Sequence, residues 1–386
     1  MYTPTSFKEV CMKRIAVCIM IVLFLGGCAS PAIPFSLEQP AAGTDPFPQR
    51  TPVSAVDPYD DIRTLDISEV DFTGQDDLIK TLWFNQYTEW PESALALTDG
   101  NPERVMIAAM TPGLGVHDLH EKGITGEGVR VAIIDQPMYL DHPEFAGKVA
   151  AYKDFECGSE SSMHGPAVAS LLVGEHTGTA PGATLYYAAA PSWLKDAGYC
   201  AEALDWIVEE NGKLPEGDKI RVVSVSGAPS GPGSPFTKNN GLWDEAVARA
   251  EEDGILVLDC TSDHGWINAC YYEPGAPDDI TKYKPGFPGY DYAYEKDSGE
   301  LFVPTSPRTT AEEYSKGAYC YQYTGRGGLS WGIPYCAGVL AMGWQVCPEL
   351  TGEEMKAILL DTAYDMDGYK LIDPAAFIGE LQTYVK

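Results

Sequence analysis

From residue 113 onward, short runs of apolar residues alternate with longer segments in which apolar positions recur every three or four residues. The short runs are rich in Val, Ile, Leu and Tyr, as is typical of buried strands: 130–135, 184–190, 221–226 and 255–260. The longer segments have the periodicity of helices: 164–174, 200–212, 242–254, 330–345 and 351–363. Strands that alternate with helices predict an α/β fold, in which a mostly parallel sheet carries helices on both faces.

The pattern is less regular elsewhere in the chain. Residues 261–325 are rich in Tyr, Gly and Pro and predict long loops with room for one hairpin. Residues 76–112 contain a group of aromatic side chains and predict a small N-terminal extension, either a removable propeptide or a permanent brace. Residues 28–75 have little apolar periodicity and predict a flexible linker. The main domain is therefore expected at 113–386.

The N-terminus has the features of an export signal. Residues 12–27 begin with Lys13 and Arg14 and continue with an apolar run at 15–25, which is too short for a comfortable membrane span. The run ends in Leu-Gly-Gly-Cys28, which resembles a bacterial lipobox, whose cysteine becomes the lipidated first residue. We therefore expect a lipid anchor at Cys28 on the extracytoplasmic face of a bacterial membrane, with an ordinary signal peptide as the alternative.

Composition narrows the set of partners and metals. A net charge of −30 argues against binding to nucleic acid or to an anionic membrane surface. Export allows disulfides, but the seven cysteines that follow Cys28 are an odd number and cannot all pair within one chain. The cysteines and histidines do not have the spacing of a zinc site, and the acidic clusters do not have the spacing of an EF-hand.

The candidate chemistry begins at Ser330, within the stretch Gly-Leu-Ser-Trp-Gly at 328–332. This stretch fits the pattern G-x-S-x-G, which marks the nucleophile of α/β-hydrolases. In those enzymes the catalytic histidine follows the serine, whereas all six histidines of this chain precede Ser330. The order excludes the α/β-hydrolase arrangement and leaves one in which the histidine comes first.

Three segments together provide such an order. The stretch VRVAIIDQPMYLDHPEF puts Asp135 at a strand end, SSMHGPAVASLLVG puts His164 at a helix start, and GGLSWGIPYCAGVLAM puts Ser330 at another helix start. In this order they resemble the Asp, His and Ser motifs of the subtilisin-like serine proteases, the subtilases. The resemblance extends over about residues 113–378. It implies the subtilisin-like three-layer fold and a serine endopeptidase that acts on proteins or peptides.

The resemblance also implies roles for individual residues. Ser330 would be the nucleophile, His164 the general base and acid, and Asp135 the residue that orients the imidazole. Ser226 and Gly227 would border the substrate cleft. No cofactor is needed for this chemistry; calcium is common in the family, but no calcium site can be placed here, and the oligomeric state is not indicated.

The oxyanion hole is where the sequence departs most from the family. The family has an Asn where this chain has Asp263, and an ionised carboxylate cannot donate to an oxyanion. Asp263 could donate only when protonated, and a shift in alignment would bring His264 or Ser262 to the same place. Leu329 and Trp331, on either side of the serine, are also unusual for the family.

These departures leave other functions open. A catalytically weak or silent subtilase-fold lipoprotein could act as a binding or signalling module. An esterase or a peptide ligase would use the same three residues and cannot be distinguished by sequence.

Overall fold

A computed structural model describes residues 37, 40, 45–261, 266–291 and 293–385. The elements before the main domain are short: β1 (Thr51–Pro52), β2 (Leu65–Asp66), α1 (Asp76–Ile79), β3 (Trp83–Asn85), α2 (Glu92–Leu95), α3 (Pro102–Ala108) and α4 (Val116–Glu121). The predicted signal peptide at 12–27 and Cys28 lie outside the described residues.

Strands and helices then alternate as the hydrophobic pattern predicts. The elements are β4 (Arg130–Asp135), β5 (Val149–Asp154), α5 (His164–Val173), β6 (Thr184–Ala189), α6 (Ala197–Gly212), β7 (Ile220–Val225), α7 (Asn240–Glu252) and β8 (Leu256–Leu258). The five strands form one parallel sheet in the order β5-β6-β4-β7-β8. This sheet carries the carboxyl ends of β4, β6 and β7 at a common edge, where sites in such folds lie.

Each face of the parallel sheet is covered by a separate apolar cluster. On β4, Val131 and Ile133 belong to a cluster that contains α5 and α8, while Ala132 and Ile134 belong to a cluster that contains α6 and α7. This alternation follows from the two-residue period of a strand, which directs successive side chains to opposite faces. The predicted α/β fold with helices on both faces is confirmed.

The remainder of the chain contains more strands than predicted. Its elements are β9 (Ile267–Tyr272), β10 (Tyr283–Pro285), β11 (Leu301–Ser306), β12 (Arg308–Glu313), β13 (Tyr319–Thr324), α8 (Leu329–Val346), α9 (Gly352–Asp361), β14 (Tyr364–Asp365), β15 (Lys370–Leu371) and α10 (Pro374–Leu381). Three short 3₁₀ turns complete the described elements: Ser192–Leu194, Glu216–Asp218 and Ile280–Lys282.

The strands β9 to β13 correct the prediction of long loops at 261–325. They belong to a mixed sheet of order β10-β9-β11-β15-β14 and to an antiparallel sheet of order β12-β13-β3. Every residue of β11 and β12 is buried, including polar ones such as Thr310 and Glu312. The apolar–polar alternation that identifies a half-exposed strand is therefore absent from this sequence.

The N-terminal extension is continuous with the main domain through β3, which pairs with β13 along Trp83–Asn85. The prediction of a flexible linker through residue 75 does not describe 45–75, where Ile62, Ile67 and Phe72 are fully buried. These apolar residues are spaced singly among polar ones, and turns rather than regular elements bring them inward. For that reason the sequence pattern did not identify them.

Two further properties concern the whole described chain. None of its described helices is long and apolar enough to cross a bilayer. All seven cysteines in the described residues are free thiols, and six of them are buried: Cys157, Cys200, Cys270, Cys320, Cys336 and Cys347.

Candidate active site

Asp135 is the last residue of β4 and points into the edge formed by the strand ends. Its side chain is almost completely buried, with 8% of its surface exposed. Oδ1 accepts a hydrogen bond of 2.7 Å from the backbone N–H of Gln136 and one of 2.6 Å from Nδ1 of His164. The carboxylate is thus fixed by its own loop and faces the imidazole.

His164 is the first residue of α5, and that helix starts against the loop after β4. An added Cβ at Gly165 would lie 2.2 Å from the carbonyl oxygen of Gln136, so this position requires glycine for the close approach. Burial of the imidazole favours its neutral form, but the charge and hydrogen bond of Asp135 outweigh this and raise the pKa of His164. With Nδ1 bonded to Asp135, Nε2 is the nitrogen left for chemistry.

Ser330 is the second residue of α8, directly after Gly328 and Leu329. Its Oγ donates to the carbonyl oxygen of Ser226 at 3.2 Å, and Oγ of Ser226 donates to the carbonyl of Ser330 at 2.8 Å. This reciprocal pair joins the start of α8 to the end of β7. Between the described atoms of Ser330 and His164 no hydrogen bond forms, and catalytic hydrogen bonds are often long before substrate binds.

Trp331 lies against the imidazole, a contact that the sequence did not predict. The ring centroids of Trp331 and His164 are 5.3 Å apart, with the planes tilted by 35°. An added Cβ at Gly327 would be 2.2 Å from Cδ1 of Trp331, so glycine at 327 makes room for the indole. The bulk of Trp331 beside the serine was visible in the sequence, but its direction was not.

A cavity of about 300 Å³ adjoins Asp135 and His164, whereas Ser330 and Trp331 are not among its lining residues. Asp135, His164, Ser226 and Gly227 all line it, so the structure brings the two predicted cleft residues beside the Asp–His pair. The remaining lining is mainly apolar and includes residues that sequence reasoning missed, since they lie in irregular segments: Trp193, Pro229, Pro235 and Phe236. The cavity can accept an apolar group next to the pair.

The side-chain donor predicted for the oxyanion hole is not among the described residues. Asp263 lies outside the described residues, as do the alternatives Ser262 and His264. The backbone N–H of Ser330, near the start of α8, is one of the helix donors that lack an intrahelical acceptor.

Two other histidines, His142 and His176, are bonded to groups away from the Asp135–His164 pair. His142 is fully buried, with Nε2 donating to the carbonyl of Cys320 at 3.1 Å, and burial lowers its pKa. His176 pairs with the buried carboxylate of Glu144 at 3.0 Å, which raises the pKa of His176. Across the described ranges, no group of three or more Asp, Glu, His or Cys side chains is arranged to hold a metal ion.

Comparison with known proteins gives consistent matches. A family model described as the subtilase family matches residues 126–289, a range that includes Asp135 and His164 and ends before Ser330. The subtilisin-like protease PopC of Myxococcus xanthus is 23% identical over 288 residues, which cover 64% of this chain and 58% of PopC. The extracellular serine proteinase of Thermus sp. is 25% identical over 254 residues, 61% of this chain and 55% of that protein. The chain thus matches less than two thirds of the length of each of these relatives.

Solved structures show the same fold. A structure solved to explain the assembly of subtilase cytotoxin SubAB superimposes on this chain with a TM-score of 0.55. The two chains are 15% identical in sequence, and the match covers 71% of this chain and 96% of the other. The parallel sheet and the order of the Asp and His segments agree with the matched family. Residues 126–289 of this chain are thus similar to the subtilase family, and the described chain has the subtilisin-like α/β fold.

Proposed function

We propose that the protein is a serine endopeptidase in which Ser330, His164 and Asp135 hydrolyse peptide bonds through an acyl-enzyme. The observation that carries this proposal is the 2.6 Å bond between Asp135 Oδ1 and His164 Nδ1 at the wall of the cavity. That bond sets the tautomer in which Nε2 can act as a base. The match of residues 126–289 to the subtilase family and the names of the two relatives support the same reaction class.

In the first half of the reaction, Ser330 Oγ attacks the scissile carbonyl carbon and its proton passes to Nε2 of His164. The backbone N–H of Ser330 stabilises the developing oxyanion. Collapse of the tetrahedral intermediate breaks the C–N bond, and the leaving amine takes the proton from His164. In the second half, water gives a proton to His164 and attacks the ester, and the proton returns to Ser330 as the carboxylic acid leaves.

Asp263 is proposed as the side-chain oxyanion donor in its protonated form. In subtilisin, loss of the corresponding donor costs about 10²–10³ in kcat. Activity without it would be weak but measurable, since the triad is unaffected. Neither the chemistry of the triad nor that of the donor calls for a cofactor. Structural calcium remains without an assigned site.

A second candidate function rests on the hydrogen bond of the serine. Because Ser330 Oγ donates to the carbonyl of Ser226, the hydroxyl must rotate before it can give its proton to His164. A protein in which this rotation does not occur would be a catalytically silent binding or signalling module.

A fluorophosphonate probe tests the two candidates, because it reacts only with an activated serine. We expect the probe to label the wild type and Ser298→Ala, an exposed serine far from the site, but not Ser330→Ala or His164→Ala. Circular dichroism verifies that each variant is folded. Equal labelling of the wild type and Ser330→Ala would contradict the protease and favour the silent module.

We further propose that the protein is exported and anchored through lipid on Cys28. The export signal at 12–27 and the extracellular location named for the Thermus relative support this proposal. Radiolabelled palmitate should be incorporated into the wild type, while Cys28→Ser should remain unlabelled and leave the membrane fraction. Labelling of Cys28→Ser would exclude this anchor.

The N-terminal extension is proposed to be a permanent brace rather than a removable propeptide. The described lining of the cavity beside His164 includes no residue from 45–112, so the extension does not fill that cavity. Its strand β3 instead completes a sheet with β13, on the segment that leads to Ser330.

A further inference from the structure

Arg326 lies in the connection between β13 and α8, four residues before Ser330. Its guanidinium carbon is 4.5 Å from the ring centroid of Tyr59 and 4.5 Å from that of Tyr290. One ring comes from the N-terminal extension and the other from the loop after β10. Two aromatic contacts of this length hold a guanidinium by cation–π attraction and stacking.

The backbone around Arg326 is also fixed. Its N–H donates to Oγ1 of Thr324, and the same hydroxyl donates to the carbonyl of Arg326 at 3.0 Å. Tyr59 adopts a left-handed conformation with φ of 72°, and an added Cβ at Gly289 would lie 2.6 Å from its ring. A side chain held at the backbone and at the head group loses little conformational freedom on binding a ligand.

The guanidinium of Arg326 nevertheless has no ion pair or hydrogen bond within the described chain. Every other described arginine has one: Arg50, Arg63, Arg130 and Arg249 with carboxylates, and Arg104, Arg221 and Arg308 with carbonyl oxygens. Among the described arginines, Arg326 is therefore the one whose guanidinium contacts aromatic rings without an ion pair or a hydrogen bond. Its donors are available to an external acceptor.

We propose that Arg326 binds a carboxylate of the peptide substrate, either an acidic side chain or the C-terminus. This inference rests on the proposed endopeptidase function, since it places the carboxylate near a scissile bond. A planar guanidinium binds a carboxylate through two parallel N–H···O bonds, and this geometry distinguishes Arg from Lys.

The position of Arg326 limits where the carboxylate can be. Four residues of chain span at most about 14 Å, so the Cα atoms of Arg326 and Ser330 lie within that distance. An extended substrate advances about 3.3 Å per residue, so a carboxylate that reaches Arg326 lies within a few residues of the scissile bond. Arg326 does not line the cavity beside His164, so the carboxylate and the group in that cavity belong to different substrate positions.

A glutamate scan tests the proposal. A peptide with one cleavable bond is prepared with Glu or Gln at each of four positions on both sides of that bond, and with a free or amidated C-terminus. We expect the wild type to prefer Glu over Gln about tenfold in kcat/KM at one position, or the free over the amidated C-terminus, because an Arg–carboxylate hydrogen bond contributes about 1.4 kcal/mol. The scan also distinguishes the two sources of the carboxylate.

Variants at Arg326 identify the residue responsible. Arg326→Gln should abolish the preference, so that kcat/KM becomes equal for the Glu and the Gln peptide. Arg326→Lys should retain only part of the preference, because lysine keeps the positive charge but cannot form the two parallel N–H···O bonds of a guanidinium. Arg249→Gln, which loses a surface pair with Asp205, is the matched control and should keep the full preference.

The outcomes separate this proposal from the proposed function. Cleavage without any carboxylate preference, or a preference that survives Arg326→Gln, overturns the role of Arg326 and leaves the endopeptidase intact. If no peptide is cleaved, the endopeptidase proposal fails. The same peptides, labelled with a fluorophore, are then used to compare binding to Ser330→Ala with binding to Ser330→Ala/Arg326→Gln. Tighter binding of the carboxylate peptides that depends on Arg326 supports the site, and equal binding overturns it.

Discussion

At the scale of single residues, Trp331 gives the site a feature beyond its triad. The indole lies 5.3 Å from the imidazole of His164, within the range in which a ring attracts a cation. During the proposed reaction His164 becomes positively charged, so Trp331 is placed to stabilise that form. It would act on the base together with Asp135, which already raises the pKa of His164.

We expect Trp331→Leu to lower the pKa of the acidic limb in the pH profile of kcat/KM. His164 must be neutral to accept the proton of Ser330, and the loss of about 0.7 kcal/mol of cation–π stabilisation lowers its pKa by about half a unit. Activity should therefore persist to lower pH than in the wild type. Trp206→Leu removes a different buried indole and should leave the pKa of the acidic limb unchanged. An equal shift of that pKa in both variants would contradict the role of Trp331.

The positions of the site residues along the chain could be predicted, but their contacts could not. A strand that ends in Asp135 and helices that start near His164 and Ser330 follow from hydrophobic periodicity, and the family resemblance supplied the roles. The bond from Ser330 to Ser226 and the direction of Trp331 depend on side-chain rotation in the folded site, which periodicity does not encode.

At the scale of elements, β13 joins the extension to the segment that contains Ser330. Its edge pairs with β3, and its end leads through Arg326 to α8. Beside this pairing, Arg63 forms a 2.6 Å ion pair with Glu312, whose side chain is fully buried. Asn85 donates to the other oxygen of the same carboxylate at 2.9 Å. Sequence periodicity missed these strands, because a buried polar residue such as Glu312 interrupts the apolar pattern that marks a strand.

We expect Arg63→Met to lower the free energy of unfolding by about 3 kcal/mol, since it leaves the carboxylate of Glu312 buried without its cation. Arg249→Met is the matched control, because both members of the Arg249–Asp205 pair are 47% exposed. That change should cost less than about 1 kcal/mol. Urea unfolding measures both values, and an equal loss in the two variants would show that the buried pair contributes no more than the exposed one.

At the scale of the whole molecule, the described extension and main domain depend on each other. Removal of 45–112 would expose the edge of β13 and take away Arg63 and Asn85 from Glu312. It would also remove Tyr59 from one face of Arg326. The sequence indicated an extension with aromatic residues that must pack, but it did not indicate on which surface they do so.

We therefore expect the active, mature protein to retain residues from 45 onward. Intact mass spectrometry of the protein isolated from its source cells should give an N-terminus at or before residue 45. The Ser330→Ala protein, prepared in the same way, distinguishes self-processing from cleavage by other proteases. An active form that begins near residue 113 would contradict the permanent brace.

The free thiols of the described fold have a practical consequence. Burial raises the pKa of Cys200 to about 12 and keeps this side chain as an unreactive thiol. Because none of the seven described cysteines is cross-linked, the described fold is held by packing, hydrogen bonds and ion pairs rather than by disulfides. A reducing agent in the purification buffer therefore has no disulfide among these seven cysteines to break.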